Sequence, residues 1–270
     1  MRIYAFANQK GGVGKTTLAV HLAILGQQAG FETLLVDLDQ QGSATYLATG
    51  DPHRQLQVQD GTALDLWKPE AELVVEESPI FGFDLLQATA ALDRVDDDLG
   101  AGLTAISSLR ERASQYDLVV LDCPPAPGVR QIAALLAADV HVVPVTPDRL
   151  GTQGIAAALQ LHQNKIAQRN PNLLFQIVVN RLKANSSTNK AIADGLRERL
   201  GDAVCPEYLF EREDVKRGLN NGKPYWQMTR DSQSDTWHGL FQRLLHGTVN
   251  QVEESGGAEE EPADAQEDWA

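Results

Sequence analysis

The sequence predicts an α/β fold: a single doubly wound, mostly parallel sheet flanked by helices. Three observations point there. Short, mostly apolar runs recur at 2–7, 34–36, 118–121, 140–145 and 173–179, the signature of strands buried on both faces. Segments of helical periodicity alternate with them. The composition, 43% hydrophobic and 22% charged over 270 residues, is that of a globular chain long enough to bury a large core.

Each element has its own local reason. Residues 2–7 form a short apolar strand, and a glycine-rich turn follows at 11–14. A helix over 15–29 carries Leu18, Leu22 and Leu25 and stops at Gly30. Leu34-Leu35-Val36 is a second strand ending in Asp37. Residues 50–80, with Pro52, Pro69 and Pro79, read as irregular loop, and Phe83–Leu86 as a further strand. A helix is expected over 98–113, then the apolar strand Leu118–Leu121 ending at Asp122. Helices over 129–137, 150–168 and 187–200 separate the strands Val140–Val145 and Leu173–Val179. Trp237, Leu240, Phe241, Leu244 and Leu245 form the apolar stripe of a last helix. The globular domain is expected over 1–250. Residues 251–270 hold eight acids and no base, and are expected to be a disordered acidic tail.

The net charge of −14 argues against a general nucleic-acid coat protein. Only residues 181–250 have a basic excess, eleven bases against nine acids. Two cysteines cannot build a disulfide framework or a four-thiolate metal site, so reduced thiols in a cytoplasmic protein are expected. The apolar opening Met1–Asn8 is too short for a signal peptide, and no apolar run approaches the ~18 residues of a membrane span.

The chemistry concentrates at three strand ends. Lys10-Gly11-Gly12-Val13-Gly14-Lys15-Thr16-Thr17 follows a strand and opens a helix, the setting a phosphate-binding loop requires. Glycines let backbone N–H groups turn around phosphate oxygens, and the helix N-terminus adds partial positive charge. Lys15 can reach the terminal phosphates and Thr16 can offer its hydroxyl to Mg²⁺. The standard pattern places a glycine where Gln9 stands, and an extra lysine, Lys10, takes up the motif instead. Asp37-Leu38-Asp39-Gln40-Gln41-Gly42-Ser43 follows the second strand, where alternation puts Asp37 and Asp39 on one side, toward the crevice at the carboxyl edge. Leu118–Asp122, followed by Cys123-Pro124-Pro125, is an apolar strand ending in an acid suited to hold Mg²⁺.

Lys10–Thr16 resembles the deviant Walker A motif of the ParA/MinD ATPases, a branch of the P-loop NTPases. The resemblance covers about 1–250 and is closest to short ParA-type ATPases. It implies ATP and Mg²⁺ as cofactors and an ATP-bound homodimer in which Lys10 crosses to the partner's nucleotide. It further implies that Asp39 positions the attacking water, that Asp37 and Asp122 stand near Mg²⁺, and that Asn180 reads the adenine edge. Gln40 and Ser43 depart from the family's Pro and Asn. Val142–Pro147 and Asn221-Gly222-Lys223-Pro224 resemble further family segments, whereas Tyr225–Met228 looks like a divergent branch. Cys123 and Cys205 do not match the cluster-binding contexts of the related nitrogenase iron protein.

Three functions stay open. A ParA-type switch would bind non-specific DNA when ATP-bound, sit on the nucleoid, and position cargo with hydrolysis stimulated by a ParB-like or organelle adaptor. Arg181, Lys183, Arg212, Lys216 and Arg217 are its candidate DNA contacts. Its cargo could be a plasmid, a chromosome, a carboxysome or a chemosensory cluster. A MinD-like membrane switch would need a basic amphipathic end, where this chain is acidic. A P-loop metabolic enzyme, such as a ligase of the dethiobiotin type, would need a substrate loop, of which the sequence carries no signature.

Overall fold

The computed structural model of the chain describes residues 1–57, 61–68, 72–97, 109–125 and 128–246. Strand β1 (Arg2–Phe6) leads into helix α1 (Lys15–Gln28), strand β2 (Thr33–Asp37) and helix α2 (Ser43–Thr49). The short strands β3 (Glu76–Glu77) and β4 (Asp84–Leu86) precede β5 (Leu118–Asp122), helix α3 (Val129–Ala137), β6 (Val140–Val145) and helix α4 (Arg149–Leu161). Strand β7 (Leu174–Val179) and helices α5 (Ser187–Leu200), α6 (Glu213–Asn220) and α7 (Ser232–His246) complete the described chain. The strands form one sheet in the order β3-β4-β2-β5-β1-β6-β7. Every neighbouring pair is parallel except β3 with β4.

Strand alternation divides the interior into two layers. Tyr4 and Phe6 of β1, Leu35 of β2 and Val120 of β5 face α1 and α7, packing with Leu18, Leu22, Trp237 and Phe241. Ile3, Ala5, Leu34, Val36, Val119 and Leu121 point the other way, onto Ala133, Ala134 and Leu135 of α3. This double burial is why the strands read as continuous apolar runs. α1 lies close to the sheet: a Cβ on Gly26 would meet the Leu118 side chain at 2.4 Å and Thr33 Oγ1 at 2.8 Å. Gly30, with φ +82°, takes the left-handed turn just beyond the helix.

The last helix is packed by the predicted stripe, with Trp237, Leu240, Phe241, Leu244 and Leu245 all buried. Its partner cluster was not foreseen. His21 of α1 is fully buried against Trp226, Trp237 and Phe241. Nδ1 lies 2.7 Å from the Thr17 carbonyl, and Nε2 accepts the Tyr225 N–H. Burial lowers the His21 pKa to about 4, so the ring is neutral at pH 7.

Several expectations need correction. Residues 50–80 hold a helical turn at Arg54–Gln57, a 3₁₀ turn at Ala63–Trp67 and the antiparallel strand β3, which prolines hide from a pattern search. Of the helix expected over 98–113, residues 98–108 lie outside the described residues, and Leu109–Arg112 is helical. The helix expected over 150–168 ends at Leu161 and passes into a π turn at His162–Ile166. α6 is a further helix, in a stretch where the sequence shows only the near-helical spacing of Arg212, Lys216 and Arg217. The acidic tail 251–270 lies outside the described residues. No described helix is long and apolar enough to cross a membrane.

Candidate functional site

Parallel register brings three strand ends into one row. Phe6 of β1 and Asp37 of β2 both pair with Asp122 of β5. The glycine loop leaves β1 above this row and is fixed from outside. Asn8 donates from Nδ2 to the Pro144 carbonyl at 2.7 Å and accepts the Lys10 N–H through Oδ1 at 3.0 Å. Asn180 Nδ2 donates to the Val13 carbonyl at 2.8 Å, and Arg181 Nη1 to the Gly12 carbonyl at 2.9 Å. Gly14 has φ +98°, and a Cβ there would lie 2.3 Å from Asn180 Nδ2, so only glycine fits. With these carbonyls turned outward, no hydrogen bond between described residues uses the N–H of Gly11, Gly12, Val13 or Gly14. α1 begins at Lys15 with no side-chain cap and no acid in its first turn. Unspent donors at a helix N-terminus make a site for an anion.

The two carboxylates below the loop differ. Asp37 is fully buried, yet Oδ2 accepts the Thr45 N–H and hydroxyl, each at 2.8 Å, and Oδ1 accepts the Asp39 N–H at 3.2 Å. Burial outweighs these bonds and raises its pKa to about 6. Asp122 is equally buried, and neither oxygen has a hydrogen-bond partner among the described residues. Burial and the Asp37 charge push its pKa well above the usual carboxylate range, against the pull of the nearby Thr16 hydroxyl and Lys15 ammonium. A buried carboxylate without donors, beside a hydroxyl and below an anion cradle, fits Mg²⁺, a hard cation that takes one or two carboxylates plus phosphate oxygens. Asp39 is half-exposed at the rim, and its Oδ1 accepts the Gln41 N–H at 3.1 Å.

Lys10 folds back on its own chain. Its Nζ lies 2.8 Å from both Thr146 Oγ1 and Asp148 Oδ1. Asp148 also caps α4 by accepting the Gly151 N–H at 2.7 Å. Burial opposes ionisation of Asp148, but the bonds from Lys10, Thr146 and Gly151 prevail and hold its pKa near 2.

The residues proposed as DNA contacts divide. Arg181, at the non-glycine φ of 57°, ion-pairs with Glu211 beside the loop. Arg181, Arg212 and Lys216 line a cavity of about 100 Å³ together with Gly12, Gly14, Asn180 and Phe210. Lys183 joins Lys10 and Asp148 around a second cavity of about 310 Å³. Arg217 is largely exposed and paired with Asp214. Asn180, expected at the adenine edge, uses one N–H on Val13 and its Oδ1 on the Arg181 N–H. Asn8, Asp148 and Arg130 were missed. Arg130 alone left a signal, as a charge in the otherwise apolar run of α3.

Residues 1–175 match a protein family described as an AAA domain. The chain is 31% identical over 234 residues to the chromosome partitioning protein ParA of Caulobacter vibrioides, spanning 83% of this chain and 86% of that protein. The chain belongs to the ParA-type partition ATPase family. It is 36% identical over 206 residues to the chromosome-partitioning ATPase Soj of Thermus thermophilus, covering 76% of this chain and 79% of Soj. Its fold resembles that of McdA from Cyanothece, solved as a complex with ATP. The TM-score is 0.78 at 22% identity over 90% of this chain and 96% of McdA. Within the ParA frame the loop, the unpartnered Asp122 and the Lys10 side chain fall at one sheet edge, the carboxyl end where α/β sheets bind ligands.

Proposed function

We propose that this ParA-type chain is an ATP-hydrolysing, dimerising switch that positions or segregates intracellular cargo on nucleoid DNA. The unpartnered buried Asp122 beneath a loop of unspent N–H groups carries the reading. Gly11–Thr17 would cradle the phosphates, with Lys15 on the terminal ones. Thr16 and Asp122 would hold Mg²⁺, with Asp37 behind it, and the ion would supply charge neutralisation along the phosphates. Asp39, half-exposed at the rim, would orient the attacking water. Lys10 would leave Asp148 for the partner's nucleotide when two ATP-bound copies meet. The cavity walled by Asn180, Phe210 and Arg212 is the place for the base.

Arg181 is committed to Gly12 and Glu211, which leaves Lys183, Arg212, Lys216 and Arg217 as the exposed candidates for DNA. A cytoplasmic, nucleoid-bound protein with an adaptor that stimulates hydrolysis follows from the same reading. The test is binding to non-specific duplex DNA with ATP, ADP or no nucleotide over a salt series. Binding only with ATP, falling steeply with salt, is expected. Binding that is absent in every nucleotide state would overturn the DNA-tethered reading.

A further inference from the structure

Arg130, the second residue of α3, is a buried cation with only 3% of its surface exposed. Its guanidinium joins three segments distant in sequence. Nε and Nη2 donate to Asp96 Oδ2 at 3.0 and 2.7 Å, and the Arg130 backbone N–H donates to Asp96 Oδ1 at 3.1 Å. Nη1 donates to the Leu38 carbonyl at 3.1 Å and to Gln40 Oε1 at 2.6 Å. The Asp96 carboxylate sits so close to the start of α3 that a Cβ on Gly128 would lie 2.4 Å from its Oδ1. Nothing else among the described residues grips both Leu38 and Gln40, and between them stands Asp39.

We infer that Arg130 is a positioning residue for hydrolysis: it holds the Leu38 main-chain carbonyl on one side of Asp39 and the Gln40 side chain on the other, and so fixes where that carboxylate points. The inference rests on the role proposed above for Asp39. Planarity matters, because one guanidinium must serve the Asp96 carboxylate along one edge and two acceptors from its remaining nitrogen. Gln40, which stands where the resembling family has proline, supplies one of those acceptors. That arm of the clamp therefore depends on this chain's own residue at position 40. α3 follows directly from the Asp122 strand end, so the same residue ties the water-orienting loop to the segment that carries the proposed Mg²⁺ ligand.

The test measures kcat, KM and nucleotide affinity for the full chain and for Arg130→Lys, Arg130→Met, Gln40→Ala, Asp39→Ala and the double variant Asp39→Ala/Arg130→Lys. Arg130→Lys and Arg130→Met should lower kcat about 10- to 100-fold, because a small misplacement of an orienting group is costly. Nucleotide affinity should stay within about twofold, a kcat effect without a binding effect. Gln40→Ala, which leaves the buried ion pair intact, should lower kcat a few-fold. In the Asp39→Ala background the Arg130 substitution should add nothing.

Leu92→Ala, in the same 90–97 turn, controls for stability and should lower the melting temperature with kcat kept. Wild-type kcat in Arg130→Lys overturns the inference. So does an undiminished Arg130 effect without Asp39, or an equal kcat loss in Leu92→Ala. Wild-type turnover in Asp39→Ala removes the role proposed for Asp39 and the clamp's purpose with it. An inactive Asp39→Ala beside a fully active Arg130→Lys removes the clamp alone.

Discussion

The ends of β2 and β5 face each other in register and carry the same residue type, yet they are built for opposite purposes. At β2, the buried Asp37 meets three donors from Thr45 and Asp39, and so anchors the start of α2. At β5, the buried Asp122 has only the Thr16 hydroxyl nearby, and no described residue completes a hydrogen bond to either oxygen. Burying a carboxylate without donors is expensive, so a fold keeps one only where something else will satisfy it. The contrast teaches that burial alone does not distinguish a structural acid from a ligand. The count of donors does.

Four substitutions or conditions would break or sharpen this contrast. The largest effect belongs to Asp122→Asn, which should abolish Mg²⁺-dependent ATP turnover, by about 100-fold or more. The same variant should melt no lower than the wild type without nucleotide, because a neutral amide replaces an acid whose ionisation burial already disfavours. Steady-state hydrolysis and thermal melting check both halves. Gly14→Ala should come next, driving a Cβ into Asn180 at a strained φ and removing nucleotide binding, as read by a fluorescent ATP analogue. Asp37→Ala should instead cost stability, about 1–3 kcal/mol for the stranded Thr45 donors, measured by urea unfolding. The smallest effect is Asp148→Asn. The Lys10–Asp148 pair is 24% and 45% exposed, and asparagine still caps α4, so stability should change by less than about 1 kcal/mol.

The pH dependence separates the two carboxylates from the buried histidines. Asp37 and Asp122 are raised, so their folded forms hold protons that the unfolded chain has lost. Their contribution to stability is complete below pH ~3.8 and fades as pH rises, through about 6 for Asp37. His21 and His141 are lowered by burial from 6.5 to about 4, so their contribution is present above 6.5 and is lost as pH falls toward 4. The two trends oppose each other between pH 4 and 6. Removing one acid in Asp122→Asn should therefore make Mg²⁺-free stability rise more steeply with pH across that window, as urea midpoints would show.

The central fold was legible because its signals are local. Apolar strands, the Gly11–Gly14 turn and the acids at 37 and 122 each announce themselves within a few residues. In the 50–97 region only the strand at 84–86 was, since the other short elements owe their shape to distant partners, as in the Arg54–Gln87–Glu76 cluster. Within the site, the sequence located the loop and both acids but could not tell which acid was already spent. That depends on Thr45, eight residues from Asp37. Nor could it show Lys10 held by Asp148, or Arg130 reaching Leu38 and Gln40, contacts that span 138, 92 and 90 positions. Arg181 illustrates the converse. Its charge suggested DNA, while its position puts it on the Gly12 carbonyl.

The central claim is that Asp122 is held open for the cation that accompanies the nucleotide. The most direct measurement is the affinity for a non-hydrolysable ATP analogue with and without Mg²⁺, in wild type and Asp122→Asn. Wild-type binding should tighten by about tenfold or more with Mg²⁺, while the variant should be indifferent to it. An equal tightening in both proteins would contradict the account.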